Sequence, residues 1–188
     1  AGTYPYTITD SNNCVYTDSI TLTSPNQIST TAIINNVSCN GLSDGSVVLT
    51  INGGTPTYSE DWGLNNSAAL SAGSFNYTVT DSNGCTFSDS IIIYQPSDIT
   101  TNEITSDVLC NGDSNGTAFL QIFGGTIPYS ENWNGFDITQ LPKGNYTYTI
   151  TDNNGCTFTD YVIIDEPNPL SVQEVITDAN CFNSNDGQ

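Results

Sequence analysis

Apolar and polar residues alternate over short blocks along the chain, and each block is closed by Gly, Pro, Asn or Asp. A period of two puts alternate side chains on one face of a strand; a helix needs spacings of three and four, which no stretch here keeps beyond one turn. Ile28–Val37 and Ile99–Leu109 read as a first strand, and Ser46–Ile51 and Thr117–Phe123 as a second. Gly53-Gly54-Thr55-Pro56 and Gly124-Gly125-Thr126-Ile127-Pro128 end that strand. Tyr58–Trp62 and Tyr129–Trp133 start a third, Ser74–Thr80 and Asn145–Thr151 a fourth, Thr86–Tyr94 and Thr157–Ile164 a fifth. Between the last two lie Asp81-Ser82-Asn83-Gly84 and Asp152-Asn153-Asn154-Gly155, where Asn-Gly is expected to supply the positive φ angles of a tight hairpin.

The blocks recur. Cys14, Cys85 and Cys156 are 71 residues apart, and so are Cys39, Cys110 and Cys181. Trp62 and Trp133, Asp10, Asp81 and Asp152, and Pro25, Pro96 and Pro167 keep the same step. The register divides the chain into the tail of one repeat (1–27), two whole repeats (28–98 and 99–169) and the head of another (170–188), so a longer parent protein is expected. A unit of this length exceeds the roughly 20–50 residues of solenoid repeats and can hold a core of its own. The fold expected is all-β: tandem immunoglobulin-like β-sandwiches in an extended array. Trp62, Trp133, Tyr77 and Tyr148 are the expected structural core.

Charge removes whole classes of function. The chain has 20 acidic residues, one Lys, no Arg and no His, for a net charge of -19. Lys143 alone cannot displace counterions from a nucleic acid, and the same sign argument excludes an anionic membrane surface. No apolar run reaches the roughly 18–20 residues of a membrane-spanning helix, and no Lys/Arg-led apolar segment reads as a signal peptide. Without His, the usual general base near neutral pH is missing, so no enzyme is expected. Charge of one sign keeps repetitive chains soluble and apart.

Val37-Ser38-Cys39-Asn40-Gly41, Asp44-Gly45, Gly53-Gly54-Thr55-Pro56, Tyr58, Trp62 and Tyr77-Thr78-Val79-Thr80-Asp81-Ser82-Asn83-Gly84-Cys85 together resemble the SprB repeat. The second repeat matches through Cys110-Asn111-Gly112, Gly124-Gly125-Thr126, Pro128-Tyr129, Trp133 and Thr151-Asp152-Asn153-Asn154-Gly155-Cys156. The last third of each repeat also resembles PKD-type sandwich modules. Asn180-Cys181-Phe182-Asn183 departs from the Cys-Asn-Gly pattern. The resemblance implies a large adhesin exported by type IX secretion, displayed on the outer surface of a Gram-negative bacterium and moved in gliding. Its expected partners are neighbouring repeats, other copies of the filament, and surface glycans or the substratum. A structural stalk and an array of carbohydrate- or surface-ligand-binding modules are both compatible with it. It carries no catalytic residue onto this chain.

Six cysteines in such a chain are expected to form disulfides, with fifteen connectivities open. In an immunoglobulin-like sandwich Cys39 and Cys85 would sit at opposite ends, roughly 30 Å apart, whereas a disulfide needs Cα atoms within about 7 Å. Cys39 with Cys156 is therefore the favoured pair. Cys14, Cys85, Cys110 and Cys181 would then use partners in flanking repeats. A bond inside one repeat stays open if the strand order differs, and so do free or metal-binding thiols.

Asp44, Asp81 and Asp152 lie in oxygen-rich loops and are calcium candidates. Local capping of their own turns is the competing role, and no other cofactor or metal is indicated. Ser19 and Ser90 follow Asp in an Asp-Ser-Ile triplet that resembles a bacterial O-glycosylation motif; Asp160-Tyr161-Val162 breaks it. Glu60-Asp61 could suggest paired catalytic acids, but the copy is Glu131-Asn132.

Overall fold

A computed structural model of the protein describes residues 1–178 and 180–182. The chain divides into two compact units, Ala1–Pro96 and Ser97–Gln188. Among the described residues every regular element is a β-strand.

In the first unit, β1 (Gly2–Thr9) and β2 (Val15–Leu22) form an antiparallel hairpin. β3 (Ser29–Asn35) pairs with β4 (Ser46–Asn52). β5 (Tyr58–Asp61), β6 (Gly73–Asp81) and β7 (Thr86–Ile93) form a second antiparallel sheet in that order. The second unit repeats the plan. β8 (Thr100–Ser106) pairs with β9 (Thr117–Phe123), and β10 (Ser130–Asn132), β11 (Gly144–Thr151) and β12 (Thr157–Ile164) make the three-stranded sheet. Isolated bridges, Gly45 with Leu70 and Gly116 with Leu141, complete the two repeats.

Each whole repeat is thus a β-sandwich of five strands in two small sheets, fewer than the roughly seven of an immunoglobulin domain. The reason is length: 71 residues that also carry long loops leave no room for two more strands. The core follows the alternation. On β6, Tyr77 and Val79 are buried while Asn76 is exposed; on β11, Tyr148 and Ile150 are buried while Thr147 is exposed. Trp62 lies 4.9 Å from Tyr77 between ring centroids, and Trp133 keeps the same 4.9 Å from Tyr148. Each fully buried side chain of this size contributes about 1.5–3 kcal/mol.

Strand ends depart from the alternation where another partner takes over. Ile28–Val37 is expected as one strand, yet β3 stops at Asn35. Val37 remains buried, but its N–H donates to the Tyr94 carbonyl at 3.0 Å instead of to β4. Gly53 and Gly124 require glycine: both hold positive φ, +76° and +73°, and a Cβ there would run into the backbone of Gln27 and Asp98. Residues 170–178, expected to begin another repeat, form no strand. Of Asn180-Cys181-Phe182-Asn183, Asn183 lies outside the described residues.

Candidate functional site: the cysteine-bearing ends of the repeats

The turn that joins β6 to β7 is held by one carboxylate. Asp81 Oδ1 accepts the N–H groups of Asn83 (2.9 Å) and Cys85 (2.8 Å), and Oδ2 accepts that of Thr55 (2.9 Å). Asp152 repeats the arrangement with Asn154 (2.8 Å), Cys156 (2.9 Å) and Thr126 (2.8 Å). Burial opposes ionisation of Asp81, but the N–H donors of Cys85, Thr55 and Asn83 outweigh it and hold the carboxyl below its ordinary range. The expected Asn-Gly hairpin needs correction. Of that pair only Gly84 and Gly155 have positive φ, +81° and +84°, and four residues separate β6 from β7, five β11 from β12. The Asp side chain closes the loop, so the second left-handed residue is not needed.

The opposite end of each repeat is built around the first cysteine. Asn40 Nδ2 donates to the Pro96 carbonyl at 3.0 Å, and the Gly41 N–H to Gln95 Oε1 at 2.9 Å. Asn111 repeats the first bond to Pro167 at 3.1 Å, and Gly112 donates to Glu166 Oε2 at 2.8 Å. Asp44 accepts from both the hydroxyl and the N–H of Ser38, which lowers its pKa, the hydroxyl acting most strongly. Asn115 replaces it in the second repeat and accepts the Leu109 N–H at 3.0 Å, so the loop keeps its shape without the charge. Leu109, Cys110 and Asn111 also line a pocket of about 510 Å³ with Pro167–Leu170.

Cys39 and Cys156 are disulfide-bonded and half-buried. Cys14, Cys85 and Cys110 are exposed free thiols, and Cys181 is exposed in the C-terminal segment. β7 connects the Cys85 end of its repeat to Tyr94, beside the Cys39 loop. That path of nine residues spans roughly 30 Å, against the about 7 Å a disulfide allows. A bond inside one repeat does not fit this fold.

The other candidates are placed as follows. The carboxylates of Asp44, Asp81 and Asp152 all accept from donors in their own loops, and among the described residues no group of three or more His, Cys, Asp or Glu gathers to hold a metal. Ser19 and Ser90 are exposed on β2 and β7, their N–H groups held by Asp18 (2.7 Å) and Asp89 (2.8 Å). Glu60 and Glu131 serve structure: each accepts the indole N–H of the Trp two residues on, at 3.0 and 2.9 Å. The Asn40 and Asn111 bonds and these Glu–Trp pairs are invisible to strand periodicity. Their recurrence at the same 71-residue step is the signal that could have found them.

These features define a tandem array of small β-sandwich repeats. The model of the SprB repeat family matches residues 31–62 and 102–137, which start at equivalent positions of the two repeats. The two matched segments are similar to SprB repeats, a likeness that suggests a repeat region of the surface-adhesin type. That family is a structural repeat and not a family of enzymes. SprB repeats occur in surface adhesins, an extracellular setting. No curated protein matches the chain significantly. Among the described residues no helix is long and apolar enough to cross a membrane.

Proposed function

We propose that the chain is a length of stalk in a large filamentous adhesin of the gliding-motility type, exported by type IX secretion to the outer surface of a Gram-negative bacterium. In this reading Cys39 and Cys156 bond to each other and link successive repeats covalently. Cys110 and Cys85 do the same with flanking repeats, and the cross-links stiffen the stalk under tension. One observation carries the proposal. The two disulfide-bonded cysteines are a first-loop cysteine of one repeat and a turn cysteine of the next, while a bond within a repeat is too long to form.

The test is proteolysis without reduction, followed by mass spectrometry, on native material of at least four repeats. A linked peptide pair containing Cys39 and Cys156 is expected. Cys39 joined to Cys85, or both cysteines recovered as alkylated thiols, would overturn the cross-linked stalk.

A further inference from the structure

The two whole repeats share a core but differ beside the tryptophan. In repeat 99–169 this flank is closed. Asn134 takes φ +57° and its side-chain amide donates to the Thr147 carbonyl at 3.1 Å. Phe136 packs edge-on against Tyr146, ring centroids 4.9 Å apart. In repeat 28–98 the equivalent positions are Gly63 and Asn65. Gly63 keeps the left-handed backbone, φ +64°, but has no side chain to reach the Asn76 carbonyl, the counterpart of that of Thr147. Asn65 turns its amide back to the Trp62 carbonyl, at 3.0 Å, and supplies no ring. What opens is a pocket of about 400 Å³ lined by Asp61, Asn65, Ser74 and Asn76, with Phe75 and Tyr77 behind them. Leu64, between the two changed positions, is fully exposed.

The lining chooses its ligand. One Asp61 oxygen accepts the Gly63 N–H at 2.8 Å, leaving the other for a guest. Among the described residues, the Ser74 hydroxyl and the Asn76 side-chain amide have no hydrogen-bond partner. An anion is excluded because no basic side chain lies in residues 1–96. A metal ion is excluded because one carboxylate cannot replace roughly six to eight oxygen ligands. A wholly apolar guest would leave these polar groups desolvated without partners. A neutral saccharide ring answers all three: its hydroxyls both donate and accept, and its C–H face can lie against the half-buried ring of Phe75. We infer that the pocket beside Trp62 binds a neutral sugar unit, and that repeat 99–169 lacks the site because Asn134 and Phe136 fill it. This inference does not depend on the disulfide-linked stalk.

The full chain, isotopically labelled, is titrated with glucose, galactose, mannose and N-acetylglucosamine, and with a printed array of neutral oligosaccharides. The backbone amides of Gly63, Asn65 and Ser74–Thr78 are expected to shift with at least one sugar. The double substitution Gly63→Asn/Asn65→Phe installs the residues of the twin repeat. Gly63 already has the φ that Asn134 adopts, and a Cβ there meets nothing within 4 Å. It is expected to weaken binding at least about tenfold with the thermal melt unchanged. The reciprocal Asn134→Gly/Phe136→Asn is expected to add a second site, which keeps the test decisive should the first variant misfold. No sugar-induced shift at these amides would overturn the inference. So would shifts confined to other residues, or binding undiminished in a folded Gly63→Asn/Asn65→Phe.

Discussion

The hairpin β1–β2 and the hairpins β6–β7 and β11–β12 carry one pattern with opposite outcomes. Ile8, Ile20 and Leu22 are 59%, 56% and 55% exposed; their counterparts Val79, Ile91 and Ile93 are 0%, 7% and 1% exposed, and Ile150, Val162 and Ile164 are buried as deeply. All three hairpins form, in the same register and with the same Asp-closed turn. Asp10 accepts from Asn12 and Cys14 but lacks the third donor that Thr55 and Thr126 give Asp81 and Asp152. Hairpin formation is therefore local, whereas burial needs the companion sheets β3–β4 and β8–β9. A two-stranded hairpin alone is marginal in water.

The widest gap is expected in the core. Ile150→Ala should destabilise its repeat by about 3–4 kcal/mol, through lost burial and the cavity left behind. In this 188-residue chain Ile8→Ala should change stability by less than about 0.5 kcal/mol. Urea unfolding of the two variants checks this, and equal effects would show that the first hairpin is packed after all.

Next comes the turn. Asp152→Ala strands three N–H donors of a buried site and should cost about 3 kcal/mol, against less than about 1 kcal/mol for Asp10→Ala. Acid should act in the same direction through Asp81. Its carboxyl is held below the ordinary range in the folded state, so its contribution is complete above that range and is lost as pH falls through the lowered value. A melting temperature that rises on acidification would contradict this.

A smaller, alkaline effect belongs to repeat 99–169. Burial, with the hydrogen bond to Glu103, pushes the Tyr148 phenol from 10.0 up to about 12. Its stabilising part is complete below the unfolded value and is lost as pH rises through the folded one. Ultraviolet titration should show a late-titrating component that disappears in Tyr148→Phe. Among the described residues the Tyr77 hydroxyl pairs with Thr30 alone, at 2.6 Å, and Ala32 stands where Glu103 does. The smallest effect belongs to Lys143. Its pair with Asp165, 3.8 Å apart and exposed, should be worth less than about 0.5 kcal/mol in Lys143→Gln.

Much of this was legible in the residues. Period-two alternation located all five strands of each repeat to within a few residues, since side-chain direction in a strand depends on position alone. The constant step identified equivalent residues before any contact was known. Two kinds of feature were not legible. The donors that converge on Asp81, from Thr55 and Cys85, lie 26 and 4 residues away, and nothing local announces the first. The pocket beside Trp62 depends on what Gly63 and Asn65 fail to fill, which shows only against the packed flank of the twin repeat.

By itself, then, the sequence determined the strands, their repeat, the acidity that excludes nucleic acid, and the pairing of each hairpin, because these rest on short-range geometry and composition. Only the tertiary structure decided which apolar faces are covered and which flank stays open. Burial and reach depend on segments far apart in the chain meeting in space, and no local pattern encodes that meeting.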